Sequence, residues 1–195
     1  RPRIAVLAGG DSRHYRFTEA DVARFAADLA RLAESGAGLM ITVSRRTPSR
    51  LAAALADLAQ RHRGFLWDGA GPNPYVPMLA LADAVVVTAD SANMVGEAAA
   101  TGVPVLVFEP SGGHMKLTST LEALKKRGIA HVFHGELAGE RYAPVDATPM
   151  IARAIADGLA RHRRALGLPE VPVYPEEPSG MAGSDPPAGR HTPPA

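Results

Sequence analysis

Residues 84–108 read AVVVTADSANMVGEAAATGVPVLVF, and the succession of residue types in this stretch decides the fold. An apolar run over 84–88 closes with Thr88 and is followed by Asp90 and Ser91. An alanine-rich segment over 91–101 then carries one carboxylate, Glu97, before Gly102-Val103-Pro104 opens a second apolar run over 104–108. The two runs are continuous rather than alternating, as expected for strands covered on both faces. The segment between them has a helical character, with Ser91 at a capping position and Gly102 at the stop. The unit is therefore strand, helix, strand.

The same alternation extends in both directions. Strands are predicted at 3–8, 39–43, 64–67, 84–88 and 104–108, and helices at 18–35, 48–62, 74–81, 91–101, 116–127 and 147–164. Thr18 with Asp21 three residues later starts the first helix as a capping-box-like pair, and Ser35-Gly36 stops it. Pro48 sits at the first turn of the second helix. Strands alternating with helices predict an α/β domain with a Rossmann-like parallel sheet and helices on both faces. After Leu168 the composition changes, with eight of the 17 prolines in the last 27 residues and no periodicity. We expect a domain over 1–167 and a disordered Pro-rich tail over 168–195.

Composition narrows the function. With 21 Lys+Arg against 20 Asp+Glu the net charge is +1, which gives no electrostatic case for a nucleic-acid polymer. Any anion site must be local. The absence of cysteine removes disulfide and thiolate chemistry and suits a reducing, cytoplasmic compartment. The sequence contains no run of about twenty apolar residues. It opens directly on a strand without an initiator Met, so it reads as an internal cut with further residues expected before Arg1.

Ligands of open parallel sheets bind at the carboxyl ends of strands, where loops run into helix N-termini. Four such loops carry polar chemistry. In AGGDSRHYRFT (8–18), Gly9 and Gly10 allow close backbone approach and Ser12 follows, which reads equally as a phosphate cradle or as a tight turn. In TVSRRTPSR (42–50), Ser44, Arg45 and Arg46 could meet phosphate or carboxylate, or be a solvated loop. Behind the 84–88 strand, Ser91 can cap, while Asn93 and Glu97 share one side of the helix, with a dipole-favoured surface carboxylate as the plainer reading of Glu97. In EPSGGHMKL (109–117), Lys116 could carry a point charge to a phosphate or simply be solvated.

Other chemistries are disfavoured. The loops match neither the GxGxxG dinucleotide fingerprint nor the GK[ST] phosphate loop. His131 and His134 lack a third ligand nearby, so no metal site is expected. There is no GxSxG nucleophile elbow, and no catalytic residue is assigned. Tyr75, Met78 and Leu79 read as packing residues.

The motifs GGDSRHYRF, SRRTP, WDG, NPY, LADAVVVTADSANMVGEAAATGVPV and GGHMK, in this order between about Ile4 and Arg164, resemble a known family. It comprises the bacterial relatives of the plant "elongated mitochondria" fission factor, GT-B-like proteins often named nucleoside-diphosphate-sugar epimerases. The resemblance implies the C-terminal half of a two-domain GT-B architecture, completed by an N-terminal domain that is missing from this chain. It further implies a nucleoside diphosphate sugar, of UDP type, as substrate, with no tightly bound cofactor.

By position, Gly9, Gly10, Ser12, Ser91 and the amides of Asn93 and Met94 would surround the diphosphate, and Glu97 would accept from the ribose. Arg45, Arg46 and Lys116 would offset Asp90, since DSANM (90–94) replaces the usual Gly-rich segment and brings a carboxylate close to the phosphates. The expected activity is metal-independent glycosyl transfer in envelope glycan assembly once the missing half is joined. The fragment alone is expected to be inactive. The alternative is a non-catalytic scaffold module, whose candidate partners are a protein or the inner face of a membrane. An epimerase reading fails because neither GxGxxG nor Tyr-x-x-x-Lys is present.

Overall fold

Strong apolar runs become strands here because both their faces can be covered. The computed structural model describes residues 1–67, 69–146 and 148–169. In chain order the elements are β1 (Arg3–Ala8), β2 (Tyr15–Arg16), α1 (Glu19–Glu34), β3 (Gly38–Val43), α2 (Ser49–His62), β4 (Phe65–Leu66) and α3 (Tyr75–Leu81). They continue with β5 (Ala84–Thr88), α4 (Ala92–Ala99), β6 (Val105–Phe108), β7 (Ser111–Gly112), α5 (Met115–Lys126), β8 (Ala130–Val132) and α6 (Thr148–Ala165).

Six strands form one sheet in the order β4-β3-β1-β5-β6-β8. All five pairings in it are parallel. The fold is thus α/β and Rossmann-like, as the sequence predicts. Strand alternation divides the core into two layers. Ile4 and Val6 face one layer with Phe25, Leu29 and Leu32 of α1 and Leu51, Leu55 and Leu58 of α2. Ala5 and Leu7 face the other with Met78 of α3, Val95 and Ala98 of α4, and Leu117 and Leu121 of α5. Phe108 anchors the first layer, its ring 4.4 Å from that of Phe25, with the Arg24 guanidinium 4.1 Å from its centroid.

Thr18 caps α1 as expected: its side chain accepts from the Asp21 amide and Asp21 accepts from the Thr18 amide, a reciprocal capping box. Three short strands were not expected from the sequence. β2 and β7 form a separate antiparallel pair, Tyr15 opposite Gly112 and Arg16 opposite Ser111. β8 extends the main sheet beside β6, with Leu106 opposite His131. Two or three residues present too little periodicity to be read without their partners.

The chain divides into two compact units, Arg1–Asp146 and Ala147–Ala195. The first contains the whole sheet, and α6 is the described helix of the second. The Pro-rich tail expected from the sequence lies, from residue 170 onward, outside the described residues.

Candidate functional site

The four loops singled out in the sequence follow β1, β3, β5 and β6, four consecutive strands of the sheet. Chain order explains where they matter. From β1 the chain moves outward to β3 and β4, and it then returns beside β1 as β5 before running on to β6 and β8. The gap between β1 and β5 is the point where strand order reverses, the usual ligand crevice of such sheets.

A buried knot fills the base of this crevice. Thr88 Oγ1 donates to Asp90 Oδ1 at 2.6 Å, and the Gly10 amide donates to Asp90 Oδ2 at 3.0 Å. Arg46 adds a guanidinium contact to Asp90 Oδ2 at 3.2 Å. The Gly9 amide donates to Thr88 Oγ1 at 2.8 Å, and Thr47 Oγ1 donates to the Gly9 carbonyl at 2.6 Å. Glycine is required here by crowding. A Cβ at Gly9 would lie 2.2 Å from Asp90 Oδ1, and one at Gly10 would lie 2.0 Å from the Arg46 carbonyl oxygen.

The next two amides of the loop are engaged within the protein as well. The Asp11 amide donates to the Arg46 carbonyl and the Ser12 amide to the Tyr15 carbonyl, while Ser12 Oγ accepts from the His14 and Tyr15 amides. Ser44 closes its own turn, with its amide donating to Thr47 Oγ1 at 2.9 Å. Gly9, Gly10, Ser44 and Arg46 therefore build the floor of the crevice, and Arg46 is the counterion of Asp90. Arg45 stands exposed on the β3 loop. The Asp90 side chain is 0% exposed, so the crevice meets the Asp90 main chain and not a bare carboxylate.

Above the floor, the β2–β7 pair clips the loop after β1 to the loop after β6. Gly112 at φ 114 makes this approach possible, since a Cβ there would lie 2.1 Å from the His14 carbonyl oxygen. The clip brings His14 and His114 together with ring centroids 4.4 Å apart. Between them and α4 opens a cavity of about 320 Å3, lined by Ser12, His14, Tyr15, Asp90, Ala92, His114, Lys116, Leu117 and Thr120. Tyr15 is 5% exposed. Burial raises its phenol above the usual value, the His114 backbone opposes this, and the Glu109 and Asp90 charges add to the rise.

Two helix N-termini border this cavity. His114 occupies the N-cap of α5 without any side-chain cap, and Ser91 caps α4 through a long 3.4 Å bond from the Met94 amide. Uncapped first-turn N–H groups and the helix dipole both favour an anion. Lys116 in the first turn of α5 lines the same cavity. Asn93 is exposed on α4, and Glu97 lies one turn further on. Its Oε2 accepts from the Tyr75 hydroxyl at 2.5 Å, a partner from α3.

The structure thus brings Ser12 and Lys116 into one cavity beside the start of α4, and sets Glu97 on the α3 side of that helix. His114 and the Tyr75 contact escaped the sequence reading. The only signal for His114 was its position between Gly113 and a helix at the shared sheet edge. Among the described residues no group of three or more His, Asp or Glu side chains is placed to hold a metal. His131 instead meets the Gly128 carbonyl at 3.1 Å.

Comparison with known proteins gives the family. Residues 1–159 match the family described as Mitochondrial fission ELM1. The chain belongs to the mitochondrial fission ELM1 family. It is 32% identical over 137 residues to Mitochondrial fission protein ELM1 of Arabidopsis thaliana, covering 69% of this chain and 32% of that protein. It is 29% identical over 160 residues to Uncharacterized protein RP120 of Rickettsia prowazekii, strain Madrid E, covering 77% of this chain and 45% of that protein. The chain therefore spans under half the length of these two relatives.

Among solved structures, Os79 from O. sativa in complex with U2F and trichothecene aligns at a TM-score of 0.43 and 18% identity, over 85% of this chain and 34% of that one. AviGT4, a glycosyltransferase involved in avilamycin A biosynthesis, aligns at a TM-score of 0.41 and 18% identity, over 84% of this chain and 51% of that one. In this member of the ELM1 family the crevice, the two helix N-termini and Glu97 all lie on the Arg1–Asp146 unit. No helix among its described residues is long and apolar enough to cross a membrane.

Proposed function

We propose that this chain is the donor-binding half of a GT-B-type, glycosyltransferase-like protein, and that it holds a nucleoside diphosphate sugar at the β1/β5 crevice. One observation carries the reading: the cavity at the switch point joins the uncapped start of α5, the start of α4 and the Lys116 side chain. Its volume of about 320 Å3 falls within the range of small-molecule pockets.

In this reading the diphosphate lies against the α4 and α5 N-termini, Lys116 and Ser12, and the ribose reaches Glu97. As the glycosidic bond breaks, negative charge grows on the departing diphosphate. Helix N-termini aimed at that charge stabilise it without reorganising, and the exposed Lys116 adds a cation beside them. No bound metal is needed for this role. The acceptor and the general base are assigned to residues outside this chain, in an N-terminal half, so the chain alone binds donor without transferring it. The setting we infer is glycan assembly at the cytoplasmic face of an envelope membrane, with a UDP-type donor.

A second reading, a binding or scaffold module with a protein or membrane partner, draws on a specific feature. The amides of Gly9, Gly10, Asp11 and Ser12 are all bonded within the protein, so the glycine loop offers no free amide cradle. Calorimetry of the chain with UDP, GDP, ADP and CMP separates the two. We expect one nucleoside diphosphate to bind, with affinity that weakens as salt rises and drops about tenfold in Lys116→Ala. A folded chain that binds none of the four would sink the donor reading in favour of the scaffold.

A further inference from the structure

The carboxylate of Glu97 does not stand alone on α4. Tyr75, the first residue of α3, donates its hydroxyl to Glu97 Oε2 at 2.5 Å, across 22 positions of sequence. Tyr75 is itself held from two sides. Its ring packs against the apolar layer that includes Val95 of α4, and its amide donates to Asn73 Oδ1 at 3.0 Å. The loop before it is closed by the Trp67 indole donating to the Ala70 carbonyl at 2.9 Å.

Burial pushes the Tyr75 phenol upward, and the Glu97 hydrogen bond and charge push it further in the same direction. The phenol therefore keeps its proton and donates a hydrogen bond through it to the carboxylate. A glutamate on a helix surface otherwise samples several rotamers, and fixing one costs side-chain entropy that a ligand would have to offset. Here the half-buried Tyr75 ring of α3 takes that role.

We propose that Tyr75 is a positioning residue: by holding Oε2 of Glu97 it presents Oε1 to the hydroxyls of a ribose, and so makes the crevice selective for ribonucleoside diphosphates. This rests on the donor-binding reading above. Tyr75 need not touch the ligand, because a carboxylate oxygen keeps further acceptor capacity after one bond is made.

The test compares UDP, GDP and ADP with their 2′,3′-dideoxy analogues and with inorganic pyrophosphate, titrated into the wild-type chain, Tyr75→Phe and Glu97→Ala. Phenylalanine keeps the ring and its packing, and thermal unfolding of each variant checks the fold. For the preferred base we expect Tyr75→Phe to weaken ribonucleotide binding about tenfold, with dideoxy and pyrophosphate affinities unchanged. The ribo-to-dideoxy preference would then fall toward one, as in Glu97→Ala. An unchanged preference in Tyr75→Phe beside a lost one in Glu97→Ala overturns the role of Tyr75 and leaves the donor site standing. Tighter ribonucleotide binding in Tyr75→Phe also overturns it, because the tyrosine would then be a competitor for Glu97. No binding by the wild type overturns the donor site and this role together, whereas a preference indifferent to Glu97→Ala overturns the ribose contact of Glu97 and the role of Tyr75 with it.

Discussion

By its sequence position Asp90 is a charge that would oppose a diphosphate, and its contacts give it a different task. Its two oxygens accept from Thr88, Gly10 and Arg46, tying the ends of β1 and β5 to the β3 loop. A buried carboxylate satisfied in this way is costly to alter, because its former donors are left inside without a full partner. Asp90→Asn is therefore expected to lower the stability of the chain by about 1–3 kcal/mol, read as a shift in urea midpoint, without tightening diphosphate binding. Tighter binding at unchanged stability would instead place the carboxylate against the ligand. The same knot explains Gly9 and Gly10, whose missing side chains make room for Asp90 and the Arg46 backbone. The glycine pair was legible in sequence, but its reason was not, since the atoms that crowd it lie 36 to 81 positions away in the chain.

Among the elements, the two-residue strands β2 and β7 have an effect out of proportion to their length. They join two loops that would otherwise move independently, and the joint is secured from α1. Asp21 Oδ2 accepts from the Ser111 amide at 3.1 Å as well as from Thr18 in the capping box. Burial alone would raise the Asp21 carboxyl, but hydrogen bonds from Ser111 and Thr18 overcome it and hold the group below its usual range. A carboxyl depressed in the folded state contributes stability that is fully present above the unfolded value near pH 4, and that is lost as pH falls below it. Urea midpoints measured from pH 6 to pH 3 should thus decline less steeply for Asp21→Asn than for the wild type. Parallel profiles would assign the acid sensitivity to other groups. Loop-to-loop pairing of this kind leaves no pattern in the sequence, because each strand supplies only two residues and neither alternates.

At the scale of the whole molecule, both apolar layers are built from residues between Ile4 and Phe133, with Tyr142 and Val145 packed at the margin of the second. None of the residues of α6 is buried. The Arg1–Asp146 unit holds both apolar layers, so expressed by itself it is expected to unfold in one cooperative urea transition. A broad, non-cooperative transition would show that these two layers do not suffice for its fold. The sequence by itself determined the strand-helix succession, the parallel sheet and the set of loops at its carboxyl edge. Those follow from continuous apolar runs, helix stops and caps, which are local properties of the chain. Only the tertiary structure decided which polar residues brace the crevice and which face into it. Arg46 goes to Asp90, His14 meets His114, and Tyr75 takes hold of Glu97. Each of these pairings spans 22 to 100 residues and is selected by strand order and by the space left after the core has packed. Residue identity leaves it open.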